Sequence, residues 1–367
     1  MNKKKKILFT IPNFDTAGSG KVVYDLVRYL DKDKFEPEIC CFHDKGDFFK
    51  VIETLGIKIH LFQFTTPYKP YLTFFQRVNR IAKFFRSNKY DLIHSWHWSS
   101  DFSEPLAAKI AGIPFVYTKK AMGWGNKAWT WRSKLSTEII VINTDMISEF
   151  FSKMSSKVHY IPLGVDTHYF KPQEKVFNTP DNISFTAKDF VISTIVNLVP
   201  VKGIELLIEA VKLLSDNDIK LLVIGNDQSD YAKELKLKYR DLSSVHFLGK
   251  QLDVRPYLAV ADVFVIPTKN EGRREGLPVA PLEAMASGRL VLGSRIAGIK
   301  DVLKDFPDCL FEPNSVEAIA SKIKTIKALD VSEKNRIEKE MRHKVEHVFS
   351  IEECIAKHED FYHNIIT

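Results

Sequence analysis

Short apolar runs alternate with amphipathic helical segments along most of this 367-residue chain. Residues 7–11, 37–42 and 115–118 have the length and composition of buried strands, whereas residues 20–30 repeat apolar side chains at the helical interval. Strands that alternate with helices build a parallel sheet with helices packed on its faces. The sequence therefore predicts an α/β protein with doubly wound parallel sheets.

The alternation runs twice, and a segment without periodicity separates the two series. Residues 164–189 contain Pro172 and Pro180 and repeat neither the strand interval nor the helix interval, so we predict the linker there. The chain length suits two domains of about 100–200 residues each. We predict two Rossmann-like domains, over residues 1–168 and 169–350, that face each other across a cleft.

Composition excludes several classes of protein. Hydrophobic residues make up 45% of the chain and charged residues 27%, as in ordinary folded proteins. No apolar run approaches the roughly 20 residues of a membrane-spanning helix. The basic N-terminus precedes an apolar run too short for a secretory signal, so we expect cytoplasmic residence. The four cysteines show no Cys-x-x-Cys spacing, which makes a metal or redox site unexpected.

The net charge of +7 favours contact with polyanions. Basic residues are spread widely along the sequence, and no segment resembles a nucleic-acid-binding motif, so nucleic acid is the weakest candidate partner. Anionic membrane surfaces and phosphorylated substrates remain as candidates.

The most specific pattern is a pair of glutamates, Glu275 and Glu283, that encloses Gly-Leu-Pro and precedes Ala-Met-Ala-Ser-Gly. Residues 261–267 before it are typical of a buried strand ended by proline, and a helix is predicted to begin near Pro278. Backbone N–H groups at such a junction attract phosphate, whereas carboxylates there suit neutral hydroxyls. Phosphate and polyol on one loop indicate a sugar nucleotide. The simpler interpretation is that both glutamates are solvated residues at a helix start.

With its flanking residues, this segment resembles the signature of the retaining glycosyltransferases of family 4, which have the two-domain GT-B fold. The resemblance implies that Glu275 contacts hydroxyls of the donor sugar and that Glu283 contacts the ribose of the nucleotide. It also implies that the last helix, 351–367, packs back on the N-terminal domain, which lies on the acceptor side. The pyrophosphate of the donor is expected on the backbone of Gly276, Leu277, Pro278 and Val279.

The segment from Asn197 to Lys202 resembles a second landmark of the family. There an arginine and a lysine clamp the pyrophosphate, and in this chain Asn197 occupies the arginine position. We therefore assign the main side-chain charge to Lys202, since a lysine just before a helix is well placed to neutralise a diphosphate. The missing arginine removes one charge-assisted contact, worth about 1.5–3 kcal/mol.

Residues of the first half supply further candidates. The family has a glycine-rich loop after its first strand that faces the donor, so Gly18, Ser19 and Gly20 are candidate donor contacts. A plain turn is the alternative, because the spacing matches neither a dinucleotide fingerprint nor a phosphate-binding loop. His97 follows a predicted strand at the functional edge of its sheet, and we include it among the catalytic candidates.

Two other positions suit an acceptor, and two segments suit a membrane surface. Lys120 stands where the family has a histidine near the donor sugar, and it suits an acidic acceptor or a phosphate. Trp124 lies in residues 122–132, a predicted loop that places three tryptophans among basic residues, as in carbohydrate stacking or a membrane interface. Residues 72–86 predict a helix whose apolar stripe we interpret as core-facing; peripheral attachment to an anionic membrane is the alternative.

The resemblance implies a retaining glycosyltransferase that moves a sugar from a UDP- or GDP-linked donor to a hydroxyl of a glycan or a lipid-linked acceptor. Bacterial surface polysaccharide or lipopolysaccharide assembly is the expected setting, in the cytoplasm or at the inner face of the cell membrane. We expect neither a cofactor nor a metal, since Lys202 and a helix terminus can balance the leaving charge. The alternatives are a non-catalytic sugar-nucleotide-binding protein and, less favoured, a sugar-nucleotide epimerase of the same fold.

Overall fold

A computed structural model describes residues 3–15, 17–271 and 275–366. Thr16, at the start of the predicted small-residue turn, lies outside the described residues. The chain divides into two compact units, residues 1–163 with 352–367 and residues 164–351. The predicted domain boundary, between residues 168 and 169, falls just inside the second unit.

The first unit contains a seven-stranded parallel sheet. Its strands are β1 (Lys5–Thr10), β2 (Phe35–Cys41), β3 (Ile59–Leu61), β4 (Leu92–Ser95), β5 (Phe115–Lys119), β6 (Glu138–Val141) and β7 (Val158–Tyr160). The strand order is β3-β2-β1-β4-β5-β6-β7. The connecting helices are α1 (Ala17–Tyr29), α2 (Asp47–Glu53), α3 (Phe74–Ser87), α4 (Ser103–Ala111), α5 (Ala128–Leu135) and α6 (Asp145–Phe150).

The second unit contains a six-stranded parallel sheet. Its strands are β8 (Phe190–Ile195), β9 (Ile219–Ile224), β10 (Val245–Gly249), β11 (Val263–Ile266), β12 (Leu290–Ser294) and β13 (Leu310–Phe311), in the order β10-β9-β8-β11-β12-β13. The helices are α7 (Ile204–Leu214), α8 (Asp230–Lys238), α9 (Arg255–Val260), α10 (Ala280–Ala286), α11 (Ile299–Val302), α12 (Val316–Lys327) and α13 (Val331–Val348). A last helix, α14 (Ile351–Ile366), closes the chain. Two parallel sheets wrapped by helices are the predicted fold class.

The strands at the centre of each sheet are buried on both faces, which explains their continuous apolar sequences. Helix α3 turns one stripe toward the core of the first unit, and its buried side chains include Phe74, Val78, Ile81 and Phe85. The interpretation of this apolar stripe as core-facing is therefore confirmed, although the helix begins at Phe74 rather than at Leu72.

Helix α14 packs on the first unit through a buried polar cluster. The imidazole of His94, at β4, has Nδ1 2.6 Å from the Tyr362 hydroxyl of α14 and Nε2 2.7 Å from the Thr118 hydroxyl of β5. His358, one turn before Tyr362, is also buried and lies with its ring centroid 5.9 Å from that of His94. The helix that follows the second unit thus belongs to the core of the first.

The prediction of a loop at residues 122–132 was wrong in its second half, because α5 begins at Ala128. Helix α13 was not predicted at all. It is largely polar and buries only Met341 and Val345, so its apolar repeat is too sparse to identify from the sequence.

Candidate functional site

In the second unit, the loops after β8 and β11 are packed against each other at the carboxyl edge of the sheet. Gly203 has a positive φ of 66°, and a Cβ atom there would lie 2.3 Å from the carbonyl oxygen of Pro267. The amide of Lys269 donates to the carbonyl of Val201 at 2.8 Å. Only glycine tolerates this approach, so the residue after Lys202 fixes that lysine against the end of β11.

The two main catalytic candidates of this unit meet. The ammonium of Lys202 contacts Oε1 of Glu275, and the two side chains are 15% and 23% exposed. They come from loops 73 residues apart in the sequence, and sheet topology brings them together because β8 and β11 are neighbouring strands. The structure thus places a cation and a carboxylate side by side at one edge of the sheet.

Burial lowers the pKa of Lys202 to about 8. Desolvation disfavours the charged ammonium relative to the neutral amine. A lysine whose pKa is lowered toward neutral pH by burial is typical of a functional site.

The segment after Glu275 is buried and held by a second glycine contact. Gly298 has a positive φ of 78°, and a Cβ atom there would lie 2.0 Å from the carbonyl oxygen of Gly276. Gly276, Leu277 and Pro278 are buried, and Val279 is the residue that precedes α10. The backbone that was predicted to meet the pyrophosphate therefore has a fixed course.

Helix α10 begins at Ala280, two residues after the predicted start near Pro278. Pro281 lies in its first turn, where backbone N–H groups have no partner within the helix, so the missing N–H of proline costs no hydrogen bond. Glu283 lies in the same turn and is partly exposed, while Leu282 and Ala284 beside it are buried. Its carboxylate is therefore directed away from the core, as a ligand contact requires.

Asn197, at the position of the missing arginine, is exposed in the loop after β8. Its carbonyl accepts a hydrogen bond from Val199 at 2.9 Å.

Lys269 was missed by the sequence reasoning. Its ammonium contacts Glu205 and lies 3.3 Å from Glu271. Burial lowers the pKa of Lys269, but the hydrogen bonds that its ammonium donates to these carboxylates outweigh that effect and raise the pKa. Its position two residues after Pro267 was the available signal.

In the first unit, Lys120 contacts the first turn of α1. The Lys120 ammonium donates to the Ser19 hydroxyl at 3.1 Å and to the carbonyl of Trp96. It also lies 5.5 Å from the ring centroid of Trp96 and 5.2 Å from that of Trp98. Helix α1 is kinked at Gly18, and Gly20 is buried where a Cβ would lie 3.0 Å from Phe14. Local backbone geometry and packing therefore also explain why these positions are glycine.

His97 lies in an aromatic environment and is 8% exposed. Its ring makes edge contacts with Phe42 and Phe64, at centroid distances of 6.0 and 5.7 Å, and Nδ1 lies 3.2 Å from the Ser99 hydroxyl. Burial lowers its pKa to about 3. The imidazole is therefore neutral at physiological pH, and its described contacts are mainly those of packing.

The three tryptophans of residues 122–132 are not equivalent, contrary to the expectation of exposed aromatic side chains. Trp124 stacks on Phe150 with centroids 5.4 Å apart, and Trp129 covers the ammonium of Lys119 at 4.3 Å. Trp131 alone among these three is exposed, at 59%. Trp124 is half-buried, so it offers a limited face to a ligand.

The sequence analysis also missed a buried polar network beneath the carboxyl edge of the first sheet. Glu104 and Arg132 form an ion pair, and the Glu104 carboxylate also accepts hydrogen bonds from the hydroxyls of Thr10 and Ser95. Arg132 donates to the carbonyl of Asp101 at 2.6 Å. These residues tie β1, β4, α4 and α5 together around the loop that carries His97 and Trp98.

Among the described residues, no three His, Cys, Asp or Glu side chains converge as a metal site requires. In the same part of the chain, no helix combines the length and the apolar composition needed to span a bilayer.

Sequence profiles of known families match both halves of the chain. The profile described as Glycosyltransferase Family 4 matches residues 16–169, and the profile described as Glycosyl transferases group 1 matches residues 178–344.

Curated relatives span most of the chain. The UDP-Gal:alpha-D-GlcNAc-diphosphoundecaprenol alpha-1,3-galactosyltransferase of Escherichia coli is 25% identical over 314 residues, which cover 78% of each chain. The N,N'-diacetylbacillosaminyl-diphospho-undecaprenol alpha-1,3-N-acetylgalactosaminyltransferase of Campylobacter jejuni is 25% identical over 319 residues, or 79% of this chain and 78% of the relative.

Solved structures show the same fold. A glycosyltransferase from Rickettsia africae superposes with a TM-score of 0.83 at 19% identity and covers 99% of both chains. Anabaena HepE, solved in complex with UDP, superposes with a TM-score of 0.80 at 19% identity, over 98% of this chain and 100% of the other.

Proposed function

Since the chain belongs to glycosyltransferase family 4, we propose that it is a retaining glycosyltransferase that transfers a sugar from a nucleoside diphosphate sugar to an acceptor hydroxyl. Its setting is the assembly of a bacterial surface polysaccharide or a lipid-linked glycan, as for the Escherichia coli and Campylobacter jejuni relatives. The observation that carries the proposal is the contact between Lys202 and Glu275 at the carboxyl edge of the second sheet. One group suits a phosphate and the other suits sugar hydroxyls.

In this proposal Lys202 neutralises the diphosphate, with the backbone of Gly276 to Val279 around it, and Glu275 orients the sugar. Glu283 binds the ribose from the first turn of α10. The bond from the anomeric carbon to the phosphate oxygen breaks, and the bond to the acceptor oxygen forms on the same face. The acceptor proton passes to the leaving phosphate. Lys202 stabilises the charge that develops on that phosphate, which is the main electrostatic contribution.

We propose that the reaction needs no metal. Two Asp-x-Asp sequences occur, at residues 31–33 and 216–218, and both precede strands, β2 and β9, at the amino edges of the sheets. Residues 216–218 lie at the opposite edge of the second sheet from the loops that carry Lys202 and Glu275. Asp216 is engaged by Lys327, and Asp31 by Lys34 at 3.0 Å. Lys202 is therefore the group proposed to neutralise the charge of the leaving diphosphate.

The donor is proposed to be UDP- or GDP-linked. The Escherichia coli relative is named for a UDP-galactose donor, and Anabaena HepE was solved with UDP. The acceptor is proposed to be a lipid-linked glycan, since both named relatives act on diphosphoundecaprenol-linked sugars. Lys120 with Ser19 is the proposed contact for an acidic group of the acceptor, with His97, Trp124, Gly18 and Gly20 as neighbouring candidates.

We propose that the enzyme acts at the inner face of the cell membrane, where a lipid-linked acceptor would be accessible. We assign the contact to residues 71–75, where the chain enters α3 and where Tyr71, Leu72 and Phe75 are 58%, 97% and 65% exposed. The basic residues Arg80 and Lys83 of α3 are exposed as well. Aromatic and basic side chains together suit an anionic bilayer. Co-sedimentation with vesicles should show a preference for phosphatidylglycerol over phosphatidylcholine that the double variant Leu72→Glu/Phe75→Glu lacks. Equal binding to both lipids would contradict this assignment.

Thermal-shift measurements with UDP, GDP, ADP, CDP and dTDP test the donor class first, because each tenfold excess over the Kd adds about 1.4 kcal/mol of stability. Radiolabelled donors then test turnover. Slow release of sugar from the donor supports a transferase, whereas binding without turnover supports a binding protein.

The residue assignments are tested by Lys202→Ala and Glu275→Ala, each of which should abolish turnover in a folded protein. Lys233→Ala, at an exposed lysine of α8, is the control and should retain activity. Full activity in either of the first two variants would refute the role assigned to that residue.

A further inference from the structure

The ammonium that is proposed to bind the diphosphate is in contact with a carboxylate. The Lys202 ammonium contacts Glu275, and the only hydrogen bond described for that ammonium goes to this carboxylate. We propose that Glu275 neutralises Lys202 when no sugar is bound, and thereby selects the intact sugar nucleotide over the nucleoside diphosphate left after transfer. This inference rests on the proposed function, because it assigns a second role to a residue of the same site.

The selection follows from competition for one ammonium. A diphosphate that approaches Lys202 must share it with Glu275 or displace that carboxylate, and the two anions repel each other at contact distance. Both side chains are largely buried, at 15% and 23% exposure, so solvent screens this competition less than at an open surface. Binding of a nucleoside diphosphate alone therefore opposes an existing ion pair.

The intact donor meets a different situation. Its sugar carries hydroxyls that can donate hydrogen bonds to the carboxylate of Glu275. When Glu275 loses its contact with Lys202, these neutral donors therefore replace the ammonium. The nucleoside diphosphate offers no such replacement. A carboxylate released without a new partner bears its full desolvation cost. The same contact therefore weakens binding of the product more than binding of the donor, and favours product release.

The chain provides a matched control. Glu271 lies four residues before Glu275 in the same loop, and its carboxylate lies 3.3 Å from the ammonium of Lys269. The Lys269 amide is hydrogen-bonded to Val201, next to Lys202. Glu271 is 55% exposed and has no role in the proposed reaction. Glu271→Gln therefore removes one negative charge from the same loop without releasing Lys202.

The experiment measures Kd by calorimetry for UDP, GDP, UDP-glucose and GDP-mannose, with wild type, Glu275→Gln, Glu271→Gln and Glu275→Gln/Lys202→Met. Glu275→Gln should bind UDP or GDP about tenfold more tightly than wild type, which corresponds to about 1.4 kcal/mol. Loss of a sugar contact cannot produce this gain, because neither probe carries the sugar. The double variant should lose the gain, since it lacks the ammonium that Glu275→Gln releases.

Unchanged or weaker binding of both diphosphates by Glu275→Gln overturns the inference while the proposed function stands. An equal gain in Glu271→Gln also overturns it, since the effect would then be one of overall charge. If the double variant keeps the gain in diphosphate affinity, that gain does not arise at Lys202, and the inference is overturned as well. If no variant and no wild-type protein binds any of the four probes, the proposed donor class fails, and the inference fails with it.

Discussion

The guanidinium of Arg132 lies 3.1 Å from the carboxylate of Glu104, and neither side chain is exposed to solvent. The carboxylate also accepts hydrogen bonds from the hydroxyls of Thr10 and Ser95, so with Arg132 it has three donors on three different elements. Burial raises the pKa of Glu104, and Arg132 opposes that shift. The pair therefore depends on both partners being present.

Removal of one partner should destabilise the protein strongly. Arg132→Met leaves a buried carboxylate without its counter-ion, which typically costs about 3–5 kcal/mol. The double variant Arg132→Met/Glu104→Gln should be less destabilised than Arg132→Met alone, because no unpaired charge remains. Urea unfolding followed by circular dichroism measures both. Arg336→Met, in the exposed pair with Glu333 on α13, is the control and should change little. A small effect of Arg132→Met would show that the network is dispensable.

Nucleotide binding should weaken as the pH rises through about 8. The folded-state pKa of Lys202 is lowered to about 8 by burial, so the ammonium that meets the diphosphate is lost above that pH. The affinity for UDP or GDP should therefore fall between pH 7.0 and 8.8, measured by calorimetry. Lys202→Arg keeps its charge over this range. Any pH dependence that remains in that variant therefore arises from titration of the ligand or of other side chains. Identical profiles for the two proteins would exclude Lys202 as the titrating group.

The fold followed from the sequence because central parallel strands are apolar on both faces and their alternation with helices is visible residue by residue. The Lys202 and Glu275 positions followed from motif resemblance, and sheet order explains why they meet. The Glu104–Arg132 pair could not be predicted, because a single Glu and a single Arg far apart in the sequence form no motif that marks them as partners. Arg132 even lay in a segment interpreted as a loop, since α5 carries no clear apolar stripe. Burial of charge depends on tertiary contacts that spacing does not encode.

Restoring the arginine of the family should strengthen donor binding. Asn197 is exposed in the loop after β8, so a longer side chain can be accommodated without disturbing the core. Asn197→Arg should lower the Kd for UDP or GDP, by a factor of about 10 if the new contact contributes about 1.5 kcal/mol. Asn197→Gln, which adds length without charge, is the control. Weaker binding by the arginine variant would indicate that this loop does not face the diphosphate.

Acid should destabilise the first unit through its buried histidines. Burial lowers the pKa of His94, and it lowers those of His97 and His358 to about 3 and about 4. Their folded pKa values lie below the ordinary value of about 6.5, so the unfolded chain binds more protons below that pH, and the free energy of unfolding decreases as the pH falls. At pH 5 His97 and His358 should each cost roughly 2 kcal/mol relative to pH 7.5, since one pKa unit equals 1.36 kcal/mol. Urea titrations at both values measure the loss. His358→Gln should reduce that loss by about one histidine's share, whereas an unchanged loss would show that His358 contributes nothing to the acid sensitivity.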